Sequence, residues 1–227
     1  MPQATYTFML VNGLIFAAQL ASGGSAGSLG GGSDQLVLDG GLNGPAVAIR
    51  DEWYRIITSG FLHVNLIHVA LNLYVLWILG TLLEPAIGTA RFVGVYLVSL
   101  VVGSWGALLL DPNALTVGAS GAVYGLMAAT ILVARNRGLG PIVSQLGLWL
   151  AINLLFTFSV DGISVGGHLG GLVGGALAAL LVLAGERTQD RRTLAYESAG
   201  LAVIGGVAFL GALLAADASV SASTISL

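Results

Sequence analysis

Apolar residues fall along this chain in long unbroken runs, without the one-sided or alternating patterns of water-facing elements. Charged positions leave seven long charge-free stretches: 1–33, 56–83, 92–110, 112–134, 138–160, 162–185 and 198–216. Each can hold a helix of about 20 residues, the length that crosses a hydrocarbon core of roughly 30 Å. Barrel strands would be short and would alternate apolar with polar residues. The pattern predicts an all-α, polytopic membrane helical bundle forming one domain over residues 1–227. A first span is expected from about Thr5 to Ala21, and it reads as a retained helix because it lacks a basic leader and a clear cleavage site. Residues 22–35 are rich in Gly and Ser and read as a flexible linker. Residues 36–60 mix apolar anchors with Arg50, Asp51, Glu52, Trp53 and Arg55, a composition suited to the membrane interface.

Composition narrows the class. Of 227 residues, 56% are hydrophobic and 8% charged, too few charges to clothe a soluble domain. A soluble enzyme and a nucleic-acid binder are excluded. Cysteine is absent, which removes disulfides, thiolate metal sites and cysteine nucleophiles. Neither a metal nor a cofactor is expected.

The basic residues, all arginine, are distributed unevenly over the connections. Alternating the loops puts Arg91, Arg135, Arg137, Arg187, Arg191 and Arg192 on one side, and only Arg50 and Arg55 on the other. The positive-inside rule then places the amino terminus in the cytoplasm, and the first loop and carboxy terminus outside.

Polar side chains inside the spans are costly and therefore informative. The second span carries His63, Asn65, His68 and Asn72, the fourth opens with Gly118-Ala119-Ser120-Gly121, and the sixth opens around His168. Each feature alone has an ordinary reading. His68 and Asn72, at i and i+4, share a face and suit an interhelical hydrogen bond; His168 suits a bond to a neighbouring carbonyl; small residues near Ser120 suit helix packing. Their combination has a chemical reading. Ser120 and His168 both follow outward loops, so they should lie at similar depth. Gly121 and Gly125 on one helix, with Gly167, Gly171 and Gly175 on the other, would let the two backbones approach closely. Such an approach would bring Ser120, Tyr124 and His168 together, and a histidine can take the serine proton. No acid lies in the sixth span, so a Ser-His dyad is favoured over a triad.

These motifs resemble the rhomboid family of intramembrane serine proteases over about Trp53 to Leu183. The resemblance rests on Gly118-Ala119-Ser120-Gly121, on His168 with Gly171 and Gly175, on His63, His68 and Asn72 at their spacing, on Trp53 and Arg55, and on Glu84. It implies Ser120 as nucleophile and His168 as general base. His68, Asn72 and the Ser120 backbone N–H would form the oxyanion hole, and Tyr124 would support the histidine ring. Trp53, Arg55, His63 and Glu84 would be structural residues of the first loop and its anchor. The fifth span and the loop near 158–166 would form a gate and cap, with Trp149, Phe156 and Phe158 as candidates. The core would cover about 5–184, followed by an extra carboxy-terminal helix over 198–216, the six-plus-one arrangement, and a frayed tail over 218–227. The implied partners are transmembrane protein substrates and membrane lipid.

Two other classes fit less well. A non-catalytic relative that binds membrane clients would lack Ser120 or His168. A histidine-based transporter would pair His68 or His168 with acids inside the spans, and the sequence has none there.

Overall fold

The structure, a computed structural model, describes residues 1–23, 35–186 and 193–225. Most of the Gly/Ser-rich linker, Arg187, Arg191 and Arg192 lie outside the described residues. The fold is all-helical. Helix α1 (Gln3–Ala21) is followed by three short helices of the first loop, α2 (Gln35–Gly40), α3 (Gly44–Ile49) and α4 (Arg55–Thr58), and by a 3-10 turn over Ser59–Phe61. The remaining helices are α5 (Leu66–Ile87), α6 (Thr89–Leu110), α7 (Ser120–Asn136), α8 (Gly140–Ser159), α9 (Val165–Glu186) and α10 (Thr193–Ile225).

Six of these, α1, α5, α6, α8, α9 and α10, are long and apolar enough to cross a membrane. Within the stretch 112–134 the helix begins at Ser120 and has 17 residues. Residues before it are drawn into extended pairing with the first loop. Leu42 and Thr116 exchange two backbone hydrogen bonds of 2.9 Å, and the Gly44 N–H donates to the Pro112 carbonyl at 2.7 Å.

Buried polar groups fix the end of the bundle where α1 begins. Glu84 is buried near the end of α5 and accepts from the Ala4 and Thr5 N–H groups at 2.9 and 2.8 Å. It also accepts from the hydroxyls of Thr5 and Thr89. A carboxylate there satisfies donors that a helix start leaves unpaired and faces the positive end of the α1 dipole. Glu84 therefore anchors α1 at the end of α5 remote from His68.

Helix α9 sits between α6 and α7, and it does so with two rows of glycine. Gly171 and Gly175 lie against the backbone of Gly121 and Gly125, leaving no room for a Cβ at either contact. In the second row Gly166 and Gly170 lie against the α6 backbone at Val102, Gly103 and Gly106, and Gly174 lies against the Val102 side chain. Apolar burial drives little association among helices already in lipid, so such close approach supplies the packing instead.

Helix α10 lies along α6. At its start Glu197, 3% exposed, receives two hydrogen bonds from the Arg91 guanidinium at 2.7 and 3.0 Å. Farther along, Phe209 meets the edge of Trp53 with centroids 6.2 Å apart. The helix then runs through most of the segment expected to be a frayed tail, ending at Ile225. Alanine is a strong helix former, and the hydroxyls of Ser219 and Ser221 bond back to the carbonyls of Ala216 and Asp217.

The glycine packing predicts a contrast between two substitutions. Gly171→Ala forces a Cβ into the Gly121 backbone, which cannot yield as a side chain would, so a loss near the top of the overpacking range of about 1–3 kcal/mol is expected. Gly206→Ala meets nothing within 4 Å and is expected to be neutral or stabilising by up to about 1 kcal/mol. Unfolding in mixed micelles measures both; equal effects would contradict the packing account.

Candidate active site

The extended segment before α7 ends in a sharp turn at Gly118, whose φ is +128°. The Gly118 N–H donates to the Ser59 carbonyl at 2.9 Å, so the 3-10 turn of the first loop holds this turn in place. Ser120 then becomes the first residue of α7, and no side chain caps that helix start. Its first N–H groups are free to meet an anion at the positive end of the helix.

His168 is the fourth residue of α9. The glycine contacts bring its ring to Ser120, with Nε2 2.8 Å from the serine Oγ. Tyr124, one turn into α7, stacks beneath the imidazole at 4.1 Å between centroids and 16° between planes. The tyrosine hydroxyl donates to the α8 backbone at Asn153, 2.9 Å away, and lies 2.7 Å from the Thr157 hydroxyl. Serine, histidine and tyrosine thus lie together.

His68 reaches the same place from α5. A Cβ on Gly118 would fall 2.7 Å from its Cε1, 2.8 Å from its Nε2 and 3.7 Å from the Ser120 Oγ. Glycine at 118 is required twice, by its φ and by the imidazole lying over it. Asn72 is buried but turns its amide back to the His68 carbonyl at 3.0 Å, so it orients the first turns of α5. Asn65 caps that helix through the His68 N–H at 2.8 Å. His63 is buried edge-on to His68, centroids 5.0 Å apart. Burial, with His68 beside it, pushes His63 down to about 3, which keeps it neutral.

Trp53 and Arg55 lie in the first loop and outside the site. Arg55 is buried and donates to the carbonyls of Leu38 and Gly41, both at 2.7 Å, while pairing with Glu52 at 2.6 Å. The hydrogen bond from Arg50, together with Arg55, holds the Glu52 carboxyl below the usual carboxylate range. Trp53 is 52% exposed and touches α10. Trp149, Phe156 and Phe158, the residues considered for a gate, are exposed on α8.

The sequence reading missed three features. Thr157 touches both Tyr124 and His168. Ser99 fills the space that a side chain at Gly125 would need. The glycine row facing α6 was also overlooked. The spacing of Asn153 and Thr157, one turn apart on the fifth span, was the signal available for the first.

Comparison with known proteins finds similarity over most of the chain. Residues 50–185 match the model of the Rhomboid domain. The chain is 35% identical over 181 residues to the rhomboid protease GluP of Bacillus subtilis, covering 78% of this chain and 34% of that protein. It is 34% identical over 145 residues to the rhomboid protease YdcA, named as putative, of the same organism, covering 62% of this chain and 71% of that one. Similarity also extends to the rhomboid protease GlpG of Photorhabdus laumondii, 33% identical over 135 residues, with 57% and 47% covered. The chain thus spans about a third of the first of these relatives.

Gly118→Ala should destabilise the protein by about 1–3 kcal/mol, since either the backbone strains or the His68 ring must move. Gly138→Ala, where φ is +71° but the space is open, should cost only the smaller left-handed penalty, about 1 kcal/mol. Thermal unfolding in detergent tests the pair, and a Gly118→Ala protein as stable as the wild type would contradict the placement of His68.

Proposed function

The chain belongs to the rhomboid family, and on that premise we propose that it is an intramembrane serine endopeptidase in which Ser120 is the nucleophile and His168 its general base. The observation that carries this reading is the 2.8 Å contact between the Ser120 Oγ and the His168 Nε2, made at an uncapped helix start.

The proposed reaction follows from that contact. His168 Nε2 takes the hydroxyl proton as the Ser120 Oγ attacks the substrate carbonyl. Charge develops on the carbonyl oxygen, where the free N–H groups of α7 and the side chain of His68 are placed to stabilise it. Asn72 completes this group in the proposal, after its amide turns from the His68 carbonyl. The imidazolium returns its proton to the leaving amine, and water then cleaves the acyl-enzyme with His168 again as base. No metal or cofactor enters the scheme.

The proposed substrates are transmembrane proteins cut in or near a membrane helix. Such a helix must unwind to expose its amide, so residues that weaken helices near the cleaved bond lower the barrier. Helix α8 is the candidate entry side: its buried residues are Leu146 and Thr157, and most of the others are exposed. We assign α10 as the extra helix of a six-plus-one arrangement and treat 1–227 as one membrane domain. The first loop and the site would open to the outside of the cell membrane, with the amino terminus in the cytoplasm, as the arginine distribution implies.

Reconstituted with a single-span reporter, the protein should release two fragments. Ser120→Ala and His168→Ala should each lower that rate by at least roughly a thousandfold. Cleavage that survives Ser120→Ala would overturn the mechanism. Orientation can be tested separately because the chain contains no cysteine. A membrane-impermeant maleimide added to intact cells should label Asp51→Cys and spare Asn136→Cys; the reverse pattern would invert the topology.

A further inference from the structure

Thr157 is one of the two buried residues of α8 and is 2% exposed. Its hydroxyl lies 2.8 Å from the His168 Nδ1, on the opposite side of the ring from Ser120. It also lies 2.8 Å from the Asn153 carbonyl and 2.7 Å from the Tyr124 hydroxyl. Such a hydroxyl offers one hydrogen and two lone pairs.

A threonine within a helix characteristically gives its hydrogen to the carbonyl four residues back, here Asn153. Both lone pairs then remain, and Tyr124 brings a hydrogen of its own that either Thr157 or Asn153 can accept. Nothing in this group needs a lone pair from His168; what Thr157 can accept is an Nδ1–H. A proton on Nδ1 leaves Nε2 bare and facing the Ser120 hydroxyl, the form a general base requires.

We infer that Thr157 is the positioning residue for His168: its hydroxyl accepts the Nδ1–H, selects the tautomer with a bare Nε2, and holds the ring edge while the imidazolium forms. This rests on the reading of Ser120 and His168 as nucleophile and base. A neutral hydroxyl occupies the place that a carboxylate takes in a triad. No acid is needed inside the membrane, where an ionised one would be costly. The contact also ties the base to α8, the helix least embedded in the bundle. The outer part of α8 cannot leave the site without freeing Nδ1, so substrate entry beside this helix must preserve the contact or restore it before attack.

The test uses full-length protein with 15N-labelled histidine, and its His168 signals are assigned by their loss in His168→Gln. Wild type should show the Nδ1–H tautomer. Thr157→Val, which keeps the shape and removes the acceptor, should shift population to the Nε2–H form. It should also lower kcat roughly ten- to a hundredfold with KM nearly unchanged. Thr157→Ser, which restores the hydroxyl, should recover the wild-type tautomer and come within about threefold of its kcat. Wild-type His168 found in the Nε2–H form would overturn the inference, even if Thr157→Val failed to fold. So would a serine variant as impaired as the valine one, because the methyl would then carry the effect. The tautomer is read without turnover, so an inactive wild type would refute the proposed protease while leaving this readout decisive for Thr157.

Discussion

The close contact between α7 and α9 is the constraint on which the rest of the site depends. Ser120 and His168 are 48 residues apart and project from different helices. They meet because Gly121 and Gly125 present bare backbone to Gly171 and Gly175. In lipid, one apolar surface is as well solvated as another, so helices gain little from burying larger side chains between them. Glycine lets two backbones reach van der Waals distance, and the polar side chains at the ends of the contact then fall within hydrogen-bonding range. The second glycine row brings α6 against the neighbouring flank of α9, about 100° around the helix, and prevents it from rolling away.

The first loop and α10 complete this arrangement from the outside. Arg55 gathers the loop by bonding two of its carbonyls and Glu52, and the loop in turn holds Gly118 through Ser59. Helix α10 is fixed at one end by Glu197 on Arg91 and touches the loop through Phe209 on Trp53. Charge is spent sparingly, at the ends of helices where it can be paired or can meet a helix dipole. Within the site itself the polar work falls to neutral groups: hydroxyls, imidazoles and backbone N–H donors. That choice suits a medium in which an unpaired ion is far more costly than an unpaired hydroxyl.

Much of this was legible in the residue pattern because each relevant signal was local. Unbroken apolar runs marked the long helices, and the i, i+3 and i, i+4 spacings placed Ser120 with Tyr124 and His168 with Gly171 on single faces. Features that depend on which element meets which were not legible. One is the pairing between 112–116 and 42–44, separated by about 70 residues. The role of Glu84 at the start of α1 spans a similar interval, 80 residues to Ala4. Thr157 looks in the sequence like any threonine on an apolar helix, and only the position of α8 brings its hydroxyl to His168 and Tyr124. The segment 218–227, rich in Ser and Ala, reads as a frayed tail, whereas helix α10 continues to Ile225, with Ser219 and Ser221 bonded back to its carbonyls.

The central claim is that Ser120 is activated by His168 because the glycine contact sets them face to face. Peptide mapping by mass spectrometry after treatment with a fluorophosphonate, which phosphonylates only an activated serine, tests this most directly. The account predicts a single adduct on the peptide carrying Ser120, lost when His168 is replaced by alanine. An adduct on another serine, or one on Ser120 that forms equally well without His168, would contradict it.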